Sequence, residues 1–305
     1  MKGCDIDMNI GYVFLVIMAS AAFFVSGIPT PDQMNADFNS AQKFYASGAY
    51  DQAIEMYEEV GSVESRFIDE DNVIVEFSEM QIRIKDATLY QTGNSFLKMV
   101  EAELDKVRDD SDAYSDEDKE KAQALALEYV NNASESFKVT QDQSTNDELK
   151  VLAQKRNIDV WYLVNDYNKV IEEGRTLIER YPESIYVQDA LYNIGWAYYD
   201  TKRFDECIET FSELVNRFPT GNKADRSLFQ IGESYFDQEQ YDEAVPFYQR
   251  LVDKMRIDEL TELEIQKIQR DKIAGLTDET ALELAAKAAL KIGACHGNSG
   301  DYDKA

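Results

Sequence analysis

Proline is scarce in this chain, with five residues in 305, and the fourteen glycines are spread thinly along it. Few breakers, with abundant Ala, Leu, Glu, Lys, Gln and Asp, favour helix. Alternating Val, Ile and Thr bounded by turn signals is nearly absent, so no sheet is expected. Histidine occurs once, at His296, and cysteine three times, at Cys4, Cys207 and Cys295. No CxxC and no Cys/His spacing suits zinc. Nor is there a Walker loop, a GxGxxG, an HExxH or a GxSxG. No catalytic residue, cofactor site or metal site is therefore assigned. Basic residues are also few: 31 Lys and Arg face 59 Asp and Glu, a net charge of −28. Such a surface repels phosphate backbones, which argues against nucleic acid as a partner. A groove on it would prefer basic partners.

Against this polar background stands one apolar run, IGYVFLVIMASAAFFVSGI, residues 10–28, inside an uncharged stretch from 8 to 31. It is long for a signal-peptide core and just long enough to span a bilayer. Two outcomes stay open: cleavage, with the best site after Gly27, or retention as a membrane anchor. A buried core helix fits poorly, because no face of the run is polar. Cys4 precedes the run, so a lipid-attachment cysteine is not supported. Residues 1–29 are expected to export the remainder or to anchor it in a membrane.

The rest reads as helices of about 12–20 residues joined by short turns. Thr30-Pro31-Asp32-Gln33 can start a helix with a capping box, and similar boxes are expected at Ser115–Asp118 and Thr145–Glu148. Stops are expected at Gly48, Gly93, Pro182, Pro219-Thr220-Gly221 and Gly297–Gly300. The expected fold is all-α.

Two segments repeat each other at a shift of 37: ALYNIGWAYYDTKRFDECIETFSELVNRFP (190–219) and SLFQIGESYFDQEQYDEAVPFYQRLVDKM (227–255). Gly195 falls on Gly232, Leu191 on Leu228, Ile194 on Ile231 and Tyr198 on Tyr235. Phe204 falls on Tyr241, Cys207 on Ala244, Phe211 on Tyr248 and Leu214 on Leu251. Each copy reads as two helices, with a glycine where they approach and aromatics where they pack. One such pair cannot bury its faces alone, so the pairs must stack.

The pattern resembles the tetratricopeptide repeat. That family carries a small residue at position 8, aromatics at 11, 17 and 24, a small residue at 20 and proline at 32. In order of position, counted from Gln188 these are Gly195, Tyr198, Phe204, Cys207, Phe211 and Pro219; counted from Asp225 they are Gly232, Tyr235, Tyr241, Ala244 and Tyr248. Arg256 replaces the second proline, so that helix is expected to run on. Pro246 falls early in its helix, where it costs less than at the middle. The resemblance implies stacked antiparallel hairpins forming a superhelical solenoid, preceded by the apolar N-terminal helix.

The chain then divides as follows. Residues 1–29 are the signal or anchor, and 30–61 a repeat matched by Ala41, Phe44, Gly48-Ala49-Tyr50, Ala53 and Tyr57, with Asp37 at a usually apolar place. Residues 62–147 are divergent helical hairpins. Residues 148–187 are a degenerate copy, in which Tyr167, Leu177 and Pro182 lie 37 before Phe204, Leu214 and Pro219. Residues 188–256 are the two well-matched copies, 257–278 an insertion or helix extension, and 279–305 a truncated copy. In that copy Gly293, Gly300, Tyr302 and Ala305 fall at positions 8, 15, 17 and 20, which leads us to expect a fragment of a longer array.

Three features invite chemistry. Cys295-His296 is adjacent in sequence, and about 100° of helix rotation separates the side chains, a poor geometry for a nucleophile and its base. His296 is expected at a helix interface, and Cys207 and Cys295 as small core residues. In RDDSDAYSDEDKE (108–120), oxygens at Asp110, Asp112, Asp116 and Asp118 imitate a calcium loop, but Ser115 stands at the glycine and Lys121 at the bidentate glutamate. A cap at Ser115 with acids in the first turn fits better.

The third feature is a groove. The resemblance implies that positions 2, 5, 9, 12 and 13 of each first helix line a concave partner face. Those positions are Asp189, Tyr192, Trp196, Tyr199 and Asp200, then Arg226, Phe229, Glu233, Phe236 and Asp237. Five of the ten are aromatic, which suits peptide binding, although packing between repeats would also use them. The lysines and asparagines with which chaperone-binding members hold a terminal carboxylate are absent. The expectation is a non-catalytic scaffold for protein or peptide partners, basic or aromatic-binding. The repeats look like those of bacterial cell-envelope proteins of the outer-membrane assembly lipoprotein and Tol-Pal coordinator type, which implies the periplasm or a membrane anchored by residues 10–28. The alternative is the targeting array of a longer enzyme whose catalytic domain lies beyond residue 305.

Overall fold

A computed structural model describes residues 29–63, 73–111, 113–255 and 281–300. The expected leader or anchor (except its last residue), the insertion at 257–278, Arg256, Asp112 of the calcium-like run and both ends of the truncated copy lie outside the described residues. Eleven helices and one β-hairpin are described, in two compact units that divide between Val164 and Asn165. Among the described residues no helix is long and apolar enough to cross a membrane.

The first unit opens with a helical hairpin, α1 (Pro31–Ser47) and α2 (Tyr50–Gly61). Thr30 caps α1 by accepting from the Gln33 amide at 3.2 Å, with Pro31 in the first turn. The Gln33 side chain donates forward to Asp37 at 2.9 Å, so the expected box is half made. Gly48 ends α1 with φ 82°, a left-handed conformation that glycine adopts without strain. Met34, Phe38 and Ala41 are buried against Ala53, Tyr57 and Val60, with the Phe38 and Tyr57 rings 5.8 Å apart. Each large side chain so buried contributes roughly 2 kcal/mol.

The expectation of no sheet is corrected by β1 (Ile74–Phe77) and β2 (Met80–Arg83), an antiparallel hairpin pairing Val75 with Ile82 and Phe77 with Met80. Its two-residue turn, Ser78-Glu79, has φ of 47° and 68°. Two positive φ values match the twist of the strands. Hairpins usually make such turns with Asn-Gly, and without that pair the strands went unread. Val75, Met80 and Ile82 are buried.

Two long helices follow, α3 (Ile84–Arg108) and α4 (Asp116–Gln143), then α5 (Asp147–Leu163). At 25 and 28 residues, α3 and α4 exceed the expected helix lengths within 62–147. The expected stop at Gly93 is also corrected. Gly93 lies inside α3, and a Cβ there would meet the Phe137 ring of α4 at 2.7 Å. This glycine permits close approach and does not end a helix. Ser115 caps α4 through a full capping box with Asp118. The next cap is Asn146, one residue later than expected, accepting from the Leu149 amide at 2.8 Å. Buried Asp86 receives two bonds from Arg83, at 2.8 and 3.1 Å, and one from Ser144 at 2.9 Å. Arg83 also donates to the Gln143 carbonyl at 2.7 Å, joining the end of β2 to the end of α4.

The second unit is a run of helices, each packed on the next: α6 (Tyr167–Arg180), α7 (Val187–Asp200), α8 (Phe204–Arg217), α9 (Asn222–Asp237), α10 (Tyr241–Met255) and α11 (Ala281–Asn298). The repeat is visible in the backbone. Lys202, Glu239 and Gly300 hold φ of 58°, 60° and 80° at the same place in successive copies, as Gly48 does in the first unit and Asn165 before α6. After α7 the Arg203 amide bonds the Tyr198 carbonyl at 2.8 Å; after α9 the Gln240 amide bonds the Tyr235 carbonyl at 2.9 Å. The Ala49 amide bonds Phe44 in the same way at 3.0 Å. Pro246 sits as the sixth residue of α10, exposed and tolerated within the helix.

Candidate functional site

All ten expected groove residues lie on two helices of the second unit: Asp189, Tyr192, Trp196, Tyr199 and Asp200 on α7, and Arg226, Phe229, Glu233, Phe236 and Asp237 on α9. What sets the face is the packing beneath it. A Cβ on Gly195 would meet the Phe211 ring at 2.6 Å, and one on Gly232 would meet the Tyr248 ring at 2.6 Å. Each glycine therefore lets the second helix of its pair press an aromatic onto the first. Around that contact the stripe aromatics rest edge-on. Tyr192 and Trp196 sit 6.0 and 6.2 Å from Phe211, and Phe229 sits 5.5 Å from Tyr248. Tyr199 meets Phe204 at 5.8 Å and Phe236 meets Tyr241 at 5.2 Å.

The five stripe aromatics are half-buried: one side packs, the other meets solvent. Both functions foreseen for them are thus physically available to the same side chain.

Some polar members reach across to the neighbouring pair and others bond within their own. The Tyr199 hydroxyl donates to Asp237 at 2.8 Å, and Lys223 is bonded to Asp189. Tyr248 donates to Glu233, and Lys291 of α11 donates to the other Glu233 oxygen at 2.8 Å while lying 4.3 Å above the Phe236 ring. Arg226 stays within its own helix, donating to Asn222 at 3.3 Å. Burial, and then the Asp237 carboxylate, push the Tyr199 phenol well above its ordinary range. Burial followed by Glu233 does the same to Tyr248. These tyrosines stay protonated donors at any working pH. Asp200 and Asp237 end α7 and α9 and are exposed. A carboxylate there opposes the helix dipole, so each helix is slightly weakened by it. Asp200 faces Tyr167, whose phenol is raised by burial and by its bond to Asp200.

Sequence reasoning missed the residues that fasten this face: Lys223, Tyr248 and Lys291. Tyr248 lies 15 residues after Glu233 in the same pair, and Lys223 and Lys291 lie 34 and 58 residues from Asp189 and Glu233, so the pairings become readable only once the stack is known. Cys207 is buried, as expected of a small core residue. Its thiol contacts the Ser234 hydroxyl of the next pair at 3.2 Å. Burial pushes that thiol up to about 11, so it is a neutral packing group. Cys295 is buried and His296 half-buried on α11. Among the described residues no group of three His, Cys, Asp or Glu is arranged to hold a metal.

Among solved structures the chain is similar to the MamA protein, at TM-score 0.47 and 18% identity, covering 75% of this chain and 96% of that one. It is also similar to TPR-like repeats of a kinesin light chain from Podosopora anserina, at TM-score 0.44 and 10% identity, covering 75% and 100%. A third is BtubC from P. vanneervenii, at TM-score 0.42 and 14% identity, covering 71% and 86%. No curated protein matches the chain. The matched family is the tetratricopeptide repeat, over residues 189–221 and 226–254, which span α7–α8 and α9–α10. Those two stretches, both in the second unit, are the part of the chain that matches the repeat.

Proposed function

We propose that the protein is a non-catalytic scaffold that holds protein or peptide partners on the α7–α9 face. The observation that carries this reading is the stripe of half-buried aromatics, Tyr192, Trp196, Tyr199, Phe229 and Phe236, fixed from behind by Phe211 and Tyr248 and linked between pairs by Tyr199 and Asp237. Aromatics held rigid lose little entropy when a partner covers them. The two exposed carboxylates beside them, with a chain charge of −28, favour a partner that is basic where it crosses the helix ends.

The setting we propose is a bacterial cell envelope, with the chain exported or anchored by the apolar run at 10–28. Two measurements test the two halves separately. A partner cross-linked in envelope extracts and then titrated against the pure protein should lose at least about 100-fold in affinity to Trp196→Ala with Phe229→Ala. An unchanged affinity, with the helical circular dichroism intact, removes the face from consideration. The full chain expressed in a bacterium should leave the cytosolic fraction. If it stays there with residues 1–29 intact, the export reading is wrong.

A further inference from the structure

The first unit carries a face whose charge is opposite in sign to that of the chain. Three of its helices build it. α3 contributes a stripe at every fourth residue, Tyr90, Asn94 and Lys98. α1 contributes Gln42 and Tyr45, and α5 contributes Arg156. Tyr90 and Asn94 are buried and form the floor, while Lys98 and Arg156 are 40% and 38% exposed above it. The floor is tied on both sides. Asn94 donates to Gln91 at 2.7 Å and Gln91 to Gln42 at 3.0 Å, which joins α3 to α1. The Arg156 Nε donates to the Tyr90 hydroxyl at 3.3 Å, which joins α5 to α3. Tyr90 itself packs on Phe77 and Phe137, each 5.6 Å away.

Three donors converge on this floor: Lys98, Arg156 and the Tyr45 hydroxyl. The Tyr50 ring holds Tyr45 edge-on at 5.5 Å. Burial raises the Tyr45 phenol, against the pull of Lys98 and Arg156 beside it, so it stays a protonated donor. Two acids stand at the rim, each three residues on from a cation. Glu101 pairs with Lys98 at 2.6 Å, both 40% exposed, and such a surface pair contributes little. Asp159 is held by Lys155 at 2.5 Å and stays 3.6 Å from the Arg156 Nη1, beyond ordinary hydrogen-bond distance. The Arg156 fork is thus positioned by Tyr90 and, among the described residues, makes no hydrogen bond to a carboxylate. All of these side chains lie well inside described helices, and none adjoins an end of the described chain.

We propose that this face binds an acidic segment of a partner protein, with Arg156 taking one carboxylate through its fork, Lys98 exchanging Glu101 for another, and the Tyr45 hydroxyl donating beside them. The planar fork of an arginine matches a carboxylate at two points, which a lysine cannot do. Charge complementarity names the partner. In a chain of net charge −28 an acidic segment is repelled almost everywhere, and a local pair of cations on a polar floor is where it can settle. Glu101 and Asp159 offset part of that local charge, so singly charged carboxylates fit better than a phosphate dianion. The face lies wholly in the first unit and does not depend on the α7–α9 stripe binding anything.

The probe is a rhodamine-labelled hexaglutamate peptide, amidated at its C-terminus and titrated into the full chain by anisotropy at low salt. Saturable binding is expected, weakened at least about tenfold by Arg156→Lys, which keeps the charge and loses the fork. Lys98→Gln should weaken it about threefold and leave the melting curve unchanged, since that side chain is already half-exposed. Lys169→Gln makes the same change of charge on α6 of the second unit and should leave binding as it was. No saturation by about 1 mM, a level at which nothing specific remains, overturns the proposal. Equal weakening by Lys98→Gln and Lys169→Gln also overturns it, because net charge alone is then the attraction. So does displacement by inorganic phosphate but not by acetate at the same concentration, because a phosphate is then the occupant.

Discussion

The two units use one packing device at different regularity. In the second, Gly195 under Phe211 and Gly232 under Tyr248 recur 37 residues apart on helices of 14–16 residues. In the first, Gly93 lies under Phe137 with nearly the same closeness, but on helices of 25 and 28 residues. Helix length, rather than the contact, separates them. A short first helix leaves a second face for solvent or a partner, even where it buries polar residues, as α9 does at Asp225, Ser227, Gln230 and Ser234. A long helix with neighbours on several sides must bury polar residues too. On α3 these are Asp86, Thr88, Gln91, Thr92, Asn94 and Ser95. Their bonds are largely made locally: Asn94 donates to Gln91 at 2.7 Å, Gln91 to Gln42 at 3.0 Å, and the Ser95 hydroxyl to the Gln91 carbonyl at 2.8 Å.

The sharpest way to break this comparison uses the chain's two tryptophans, Trp161 in the first unit and Trp196 in the second. Gly195→Val should lower the stability reported by Trp196 fluorescence by about 3 kcal/mol, since the ring it strikes is wholly buried. Gly93→Val should do the same to the transition reported by Trp161. If each substitution shifts both transitions equally, the two units do not unfold separately. Next in size is Asp86→Ala, expected to remove about 3 kcal/mol from the first unit by leaving Arg83 and Ser144 without their acceptor. Urea unfolding followed at Trp161 measures it, and a loss below about 1 kcal/mol would show water replacing the carboxylate.

These residues also show what a reader of the sequence could see. The glycine-aromatic pairs of the second unit were legible because a 37-residue shift brings them into register, and a coincidence of that kind needs no structure. Gly93 was misread because a glycine in an otherwise helical stretch signals either a stop or a close approach, and Phe137, which decides between them, lies 44 residues on in sequence. The β-hairpin was invisible because Ser78 and Glu79 adopt positive φ without the residue types that usually announce it. The stripe on α7 and α9 was legible by position. Its cross-ties were not, because Lys223 and Lys291 look like any surface lysine until the neighbouring helix is in place.

A smaller effect separates the cysteine chemistry of the second unit from its packing. Burial raises the Cys207 thiol from its ordinary value of 9.0 to about 11. The protonated form is favoured by folding, so this contribution is whole below pH 9 and is lost as pH rises toward 11. Cys207→Ala keeps the packing, since Ala244 fills the equivalent place. The wild-type protein should therefore lose about 2 kcal/mol relative to Cys207→Ala between those pH values. Parallel stability curves for the two proteins would show that the thiol is not held protonated. In the same experiment the native thiol should resist alkylation at pH 8.

The smallest effect bears most directly on how far the repeat constrains its backbone. The left-handed turn is occupied by Gly48 in the first unit and Gly300 after α11, but by Lys202 and Glu239 between. A side chain in that conformation costs about 1–2 kcal/mol, and glycine gives back about half of the gain through its greater freedom when unfolded. Lys202→Gly and Glu239→Gly should each stabilise the second unit by about 0.5–1 kcal/mol. Gly48→Ala should weaken the first by about 1 kcal/mol. No contact is made or lost at these exposed positions, so packing cannot mimic the result. If glycine at 202 and 239 instead destabilises, the lysine and glutamate are held by more than the turn. The repeat would then be fixed by its side chains, with the backbone conformation following from them.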